Sequence, residues 1–397
     1  MRYRFNRLEL AGSLGDLGTI LPIAIGMILI NGLSPMGLLF SVGLFYILSA
    51  VYFGVTVPIQ PMKVIGAYAI ATGIGASQIM ASGALMGIIL LIIGGTGAVT
   101  VMGRYIPKPV IRGVQLSTGI LLMTYGVKFM LGTSKFQLLC QTAEPYLIIQ
   151  HIGPLSIGVL IGVIGGFLTF ILLDNKKLPA GLVVVLLGLA LGLFLGTHEG
   201  LGKLRFGLNI PHLLPFGIPS GADFTAALLM LVIPQMPMTL GNAVIASVDL
   251  SEEYFGETSK KVTYRAFCVS MALGNFASFL LGGMPLCHGA GGLAAHYRFG
   301  ARTAGSNLII GTIFILLALF FGSHALSIIY LIPLSVLGIL LLFAGSQLAL
   351  TILDMKERKD LFVALIVLGI TLASNLAVGF ITGIALAYAL KSDKLTV

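Results

Sequence analysis

Residues Gly282–Gly292 read GGMPLCHGAGG and lie between two strongly apolar runs. No ordinary membrane-spanning helix passes through such a stretch. Pro285 removes a backbone donor and disfavours helix at Met284. The flanking glycines leave the backbone bare and adaptable. Irregular backbone at membrane depth is tolerated only where it is buried in protein or lines a wet cavity. The stretch therefore predicts the start of a half-helix whose N-terminus faces a cavity.

The composition supports a membrane setting. The chain has 397 residues, 57% of them hydrophobic and 9% charged, with a mean hydropathy of +1.04. Soluble domains carry about 25% charged residues, so the chain reads as an all-α polytopic membrane protein. None of the polar segments (132–151, 196–223 and 249–265) is large enough for a soluble domain. A single transmembrane domain over 1–397 is expected, without a cytosolic appendage. The net charge of +9 does not point to nucleic acid, because the basic residues fall in short loops between apolar runs. Cys140, Cys268 and Cys287 lack metal-ligand spacing and an even partner count. Asp16 interrupts the first apolar run and no small-residue cleavage pattern follows, so that run is read as an uncleaved helix.

A spanning helix needs about 20 apolar residues. Fourteen segments are expected, near 12–30, 36–53, 60–77, 80–101, 109–131, 152–173, 179–196, 223–248, 262–281, 288–301, 303–322, 326–350, 360–374 and 376–391. With both termini cytoplasmic, the inside loops collect Arg2, Arg4, Arg7, Arg104, Lys108, Arg112, Lys176, Lys177, Lys260, Lys261, Arg265, Arg298, Arg302, Lys356, Arg358, Lys359, Lys391 and Lys394. Outside lie only Lys128, Lys135, Lys203 and Arg205. This is the positive-inside asymmetry of a multi-pass protein of the plasma (inner) membrane. The charged run 249–265 reads as a solvated linker between two helices.

Fourteen is twice seven. The third segment opens with VPIQPMK (57–63) and the third of the second half with MPLCHG (284–289), while GSLGDLGT (12–19) and PQMPMTLGN (234–242) both interrupt apolar helices. Helix breaks at matching places in two halves mark a transporter site at the bilayer midplane. An odd number of spans per half makes the repeat inverted, over about 1–200 and 220–397. Pro61 suits the first turn of a helix, which would leave the amides of Met62, Lys63 and Val64 facing the cavity. Cys287, His288, Gly289 and Ala290 would form the opposing start. Two opposed helix N-termini make an anion site.

Other candidates have more than one reading each. Lys63 balances an anionic substrate or pairs with Asp16, or it snorkels to the interface. Asp16, with Thr19 beside it, carries a coupling proton or caps a broken helix. Gln60, Gln235, Thr239 and Asn242 offer neutral hydrogen bonds; the last three share a helix face at i, i+4, i+7, but such residues also join helices. His288 contacts substrate, senses pH or fills a polar gap. It has no partners for a metal centre, and no nucleophile or acid pair points to an enzyme. No cofactor is expected.

These motifs together resemble the molybdate transporter family of plants and microbes, within the wider sulfate-permease superfamily. GDLGT, VPIQPMK, PQMPMTLGN and MPLCHGAGGLAAHYRFGARTAG carry the resemblance, and the run through His288, Gly291, Gly292, His296, Tyr297, Arg298 and Phe299 is its most specific part. The resemblance implies a seven-plus-seven inverted repeat. Segments one to four and eight to eleven would form a core and the others a gate, with half-helices at segments three and ten and substrate between them. It also implies a homodimer. Nucleobase carriers of similar fold use a carboxylate in the eighth segment, where this chain has Gln235. A STAS domain of the kind typical sulfate permeases carry is not expected after Lys391. The expectation is a secondary active transporter of a tetrahedral oxyanion, molybdate first and sulfate second. A nucleobase or other neutral-solute carrier and an anion channel are the alternatives.

Overall fold

A computed structural model describes residues 3–99, 106–173, 175, 178–198, 201–203 and 207–391. Arg2, Arg104, Lys176, Lys177, Arg205 and Lys394, which entered the charge argument, lie outside the described residues. The first apolar run is not one rod. Helix α1 (Arg7–Ser13) and α2 (Leu17–Leu29) meet at a 40° bend. The break falls at Leu14–Asp16, inside the glycine-rich GSLGDLGT. Helix α3 (Pro35–Phe53) then leads through an extended segment to a two-residue strand, β1 (Gln60–Pro61), and the ten-residue helix α4 (Lys63–Thr72). Helices α5 (Ala76–Thr96), α6 (Lys108–Leu131), α7 (Lys135–Cys140), α8 (Ile157–Leu172) and α9 (Ala180–Leu195) complete the first half, with a small hairpin of β2 (His151–Ile152) and β3 (Leu155–Ser156) before α8.

The second half begins with one 39-residue helical stretch, Gly221–Ser259. It comprises α10 (Gly221–Ala227), a π segment Leu228–Val232, α11 (Ile233–Met238), a π segment Thr239–Ala246, α12 (Ser247–Phe255) and a final 3₁₀ turn. Pro234 and Pro237 carry no N–H, and the helix widens into π turns on both sides of them. The charged run at 249–265 is therefore helical as far as Ser259, not a loop; only Lys260–Thr263 link it to α13 (Tyr264–Leu281). One face of α12, with Ser247, Val248 and Ser251, is buried, and that packing accompanies the extension. Strand β4 (Leu286–Cys287) and the nine-residue helix α14 (Ala290–Arg298) follow, then α15 (Gly305–Phe321), α16 (Ala325–Ile329), α17 (Leu334–Ala349), α18 (Arg358–Ala373) and α19 (Leu376–Ala389). Among the described residues six helices are long and apolar enough to cross a membrane, or seven if the bent pair counts as one span.

The packing is reciprocal between the halves. Helix α3 packs along α15 and α5 along α13, while α6 runs against α17. The last pair touches backbone to backbone. A Cβ on Gly119 would lie 2.6 Å from the Gly345 carbonyl, and one on Gly126 would lie 2.5 Å from that of Gly338. Small residues that let backbones approach are how helices associate where lipid supplies no hydrophobic drive. One loop residue joins this pair from outside. Glu144, unremarked in the sequence, accepts hydrogen bonds from Leu334 N at 2.9 Å and Ser335 N at 2.8 Å and so caps α17. Burial pushes its carboxyl up to about 7, against the pull of those amides.

Gly126→Leu is predicted to overpack the α6–α17 seam at a cost of about 1–3 kcal/mol. Gly369→Leu, on an exposed face with open space around it, is expected to be neutral. Thermal unfolding can be followed by dye labelling of buried Cys268 and Cys287 in a Cys140→Ser background. Equal midpoints for the two leucine variants would refute the close approach.

Candidate functional site

Strands β1 and β4 cross antiparallel, with Gln60 opposite Cys287 and Pro61 opposite Leu286. Pro61 thus stands in a strand and not in the first turn of α4, whose N-cap is Met62. Pro61 has no N–H to offer the residue opposite. Asn275 of α13 supplies what is missing: its Oδ1 accepts from Leu286 N at 3.0 Å and its Nδ2 donates to Leu286 O at 2.7 Å. The Met62 amide donates to Pro285 O at 3.0 Å, and the Cys287 thiol donates to Pro61 O at 3.7 Å. Pro61, Met62 and Cys287 are therefore buried parts of the crossing rather than an open lining.

Beyond the crossing the two half-helix ends differ. At α4 two of the three expected open amides are covered, that of Met62 by Pro285 O and that of Val64 by a side chain. Val64 N and Ile65 N donate to Gln235 Oε1 at 2.9 and 3.2 Å, and Gln235 Nε2 donates to Thr239 Oγ1 at 3.0 Å. Helix α11 thus caps α4. At α14 no side chain among the described residues caps the helix: Gly289 is the N-cap, and Ala290 and Gly291 open the first turn. Gln60 lies against this end. A Cβ on Gly289 would collide with its side-chain amide, and one on Gly292 would sit 2.6 Å from Asp16 Oδ2 and 2.7 Å from Gln60 Nε2. Gln60 Nε2 donates to Asp16 Oδ2 at 2.7 Å, while Gln60 Oε1 is buried without a hydrogen bond. Lys63 Nζ stands 3.9 Å from the position of a Cβ on Gly291. The cation at the start of one half-helix therefore faces the uncapped start of the other, with Asp16 buried beside them.

Lys63 and Gly291 border a cavity of about 290 Å³. Thr19, Lys63, Asn242 and Gly291 line it together with Gln115 of α6, Thr169 of α8 and Gln347 of α17. Of the expected residues, Thr19, Lys63 and Asn242 reach the cavity. Asp16, Gln60, Gln235 and Thr239 are buried behind it. The helix face shared by 235, 239 and 242 survives as the Gln235–Thr239 bond, but the π turn from Thr239 onward changes the phase before Asn242. Gly291, Gln115, Thr169 and Gln347 were missed. Their signal was a polar or bare residue inside an apolar span.

His288 faces the other way. Its ring is fully buried against Phe45, Phe53 and Phe267, at centroid distances of 5.1, 5.8 and 4.4 Å. Nδ1 lies 3.3 Å from Pro58 O, and Nε2 lies 3.1 Å from Ser270 Oγ. A carbonyl can only accept, so Nδ1 carries the proton and the Ser270 hydroxyl donates to Nε2. Both ring nitrogens are engaged and the cavity lining excludes the residue. His288 braces the segment leading to β1.

Gln235→Leu is predicted to strip two buried amides of their acceptor, at about 1–3 kcal/mol for each group left unpaired. Amide hydrogen exchange at Val64 and Ile65 should accelerate in this variant and stay slow in Gln235→Glu. Unchanged protection in Gln235→Leu would mean that the contact does not hold α4.

Comparison with known proteins gives this geometry a context. Residues 8–122 and 227–348 match the family described as "Molybdate transporter of MFS superfamily". The chain is 32% identical to Molybdate transporter 2 and 31% identical to Molybdate transporter 1 of Arabidopsis thaliana, covering in each case 96% of this chain and 87% of the relative. Molybdate transporter 1 of Chlamydomonas reinhardtii is 29% identical, over 95% of this chain and 90% of its own. Among solved structures, the transmembrane domain of the cyanobacterial bicarbonate transporter BicA superposes with a TM-score of 0.66 at 18% identity, covering 96% of this chain and 98% of that domain. The murine anion transporter Slc26a9, solved in the inward-facing state, gives 0.66 at 14% identity, over 98% of this chain and 69% of its own. The fold is thus that of these two structures, and the protein is an integral, multi-pass membrane protein. With the family matched over more than half of its residues, the chain belongs to the molybdate transporter family.

Proposed function

We propose that this protein is a secondary active transporter of a tetrahedral oxyanion, molybdate first and sulfate second. The observation that carries the reading is Lys63 beside the uncapped N-terminus of α14 at the wall of the cavity. A helix N-terminus offers N–H donors and partial positive charge, and an ammonium supplies the rest of the counter-charge. Where the eighth segment meets α4 it carries Gln235 and not an acid. The relatives named as molybdate transporters support the choice of anion.

In this reading the anion docks on the amides of Ala290 and Gly291 with Lys63, while Gln235 keeps α4 capped. Thr19 and Asn242 add hydrogen bonds. Asp16 offsets Lys63 electrostatically, and a coupling proton taken up by Asp16 would leave the ammonium free for the dianion. His288 has no free nitrogen for that role. The helices that line the cavity would form two bodies, α2, α4 and α14 in one and α6, α8 and α17 in the other. Alternating access would move the second past the first. The reciprocal packing of α3–α15 and α5–α13 and the β1–β4 crossing support a seven-plus-seven inverted repeat of fourteen segments. The short helices α4 and α14 serve as half-helices. Both termini lie on the cytoplasmic side in this arrangement, as the charge asymmetry requires.

Proteoliposomes are expected to take up labelled molybdate saturably, with sulfate competing more weakly. Lys63→Met removes a charge-assisted contact worth about 1.5–3 kcal/mol, so uptake at limiting molybdate should fall by at least about tenfold, and Lys63→Arg should restore part of it. Failure to transport either anion under any imposed proton or sodium gradient would sink the proposal.

A further inference from the structure

A second recess lies on the flank of the core, between α3 and α13, and encloses about 700 Å³. Its walls are apolar: Leu44, Leu48 and Val51 on α3, and Val269, Leu273 and Ala277 on α13. Leu48, Val51 and Leu273 are each more than half exposed. One end differs in character. There α3 finishes and α13 begins, and the lining becomes Tyr52, Lys261, Thr263 and Arg265. Lys261 Nζ lies 5.5 Å from the centre of the Tyr52 ring. A neighbouring cavity of about 620 Å³ shares Lys261 and adds Arg4, Lys260 and Arg302.

Three acids near this end have partners of their own. Glu257 pairs with Lys260. Asp249 accepts from the Tyr264 hydroxyl at 2.6 Å. Glu9 accepts from Arg302 N and Thr303 Oγ1. Among the described residues neither Lys261 nor Arg265 forms an ion pair. An apolar groove that opens toward hydrocarbon and ends in cations beside an exposed tyrosine has the layout of a lipid: acyl chain below, anionic headgroup at the interface.

We propose that this groove binds one anionic glycerophospholipid. Its phosphate sits between Lys261 and Arg265, and an acyl chain lies along α3 and α13. The floor of the groove connects to the crossing strands. Ser270, which lines it, bonds His288, and Phe45, which also lines it, packs on the same ring. A bound chain would therefore back the His288 brace from the lipid side.

Native mass spectrometry of the detergent-purified protein, titrated with phosphatidylglycerol or with phosphatidylcholine of the same acyl chains, tests the assignment. One phosphatidylglycerol is expected to bind at least about tenfold more tightly than phosphatidylcholine. The Lys261→Gln/Arg265→Gln double variant should lose that preference. Leu273→Trp, which fills the groove and leaves the cations in place, should weaken both lipids, and Lys260→Gln should change neither. Unshifted thermal midpoints establish that each variant is folded, and a variant that fails this check is replaced by Leu48→Trp. Equal binding of the two lipids, or phosphatidylglycerol binding unchanged in both the double variant and Leu273→Trp, would overturn the proposal. So would equal competition by glycerol phosphate, which would reduce the site to a surface for free anions.

Discussion

Extended backbone deep inside a membrane protein must have its polar groups satisfied by the protein itself, and the centre of this fold is organised by that demand. Lipid offers no hydrogen bonds, and an unsatisfied group there costs several kcal/mol. The segments that lead into β1 and β4 meet it with borrowed partners. Tyr46 donates to Ile59 O, Asn307 to Val57 O and His288 to Pro58 O. Asn275 takes both backbone groups of Leu286, and Ser278 donates to Met284 O. Thr56 joins Asn307, Ser306 and His296 in one buried network. Helices α3, α13 and α15 are where most of these partners sit, which explains why polar residues recur on helices that otherwise read as apolar.

Once the extended segments are held, the two short helices start at the middle of the structure and their ends become available. They are not used alike. Gln235 closes the amides of α4. At α14 the side chains of Gln60 and Asp16 press against glycines, and Lys63 completes the surround from the opposite half-helix. A glutamine in α11 is thus an internal cap before it is anything to a substrate. One short helix therefore starts closed and the other starts open. Glycine at 289 and 292 is dictated by contact, because any side chain there would occupy the space of Gln60 and Asp16.

Much of this was legible in the chain. The breaks at 57–63 and 282–292 were marked by proline, glycine and polar residues inside apolar runs, and they did lead to two short helices facing one cavity. Lys63, Thr19 and Asn242 were identifiable as polar residues at membrane depth, and the cavity includes all three. His288 was misleading for a physical reason. A buried imidazole is as useful for tying a carbonyl to a hydroxyl as for meeting a ligand, and only its neighbours tell these apart. Pro61 was read as a helix start because its missing N–H is harmless there. In the structure the same missing N–H is made harmless by Asn275, which lies more than 200 positions away in the chain. The charged run after Asp249 looked like a loop because charge usually signals solvent, yet it is helical, with one face buried.

The sequence by itself determined the membrane setting, the places where helices break and the kinds of residue gathered at those breaks. These follow from local chemistry: hydropathy, the missing proton of proline and the bare backbone of glycine. Which way each side chain points was decided only by tertiary structure. Whether Gln235 caps a helix or meets a ligand, and whether His288 faces a cavity or an aromatic cage, depends on partners distant in the chain. No local rule carries that information, because a buried polar group takes whichever partner the packing brings within hydrogen-bond reach.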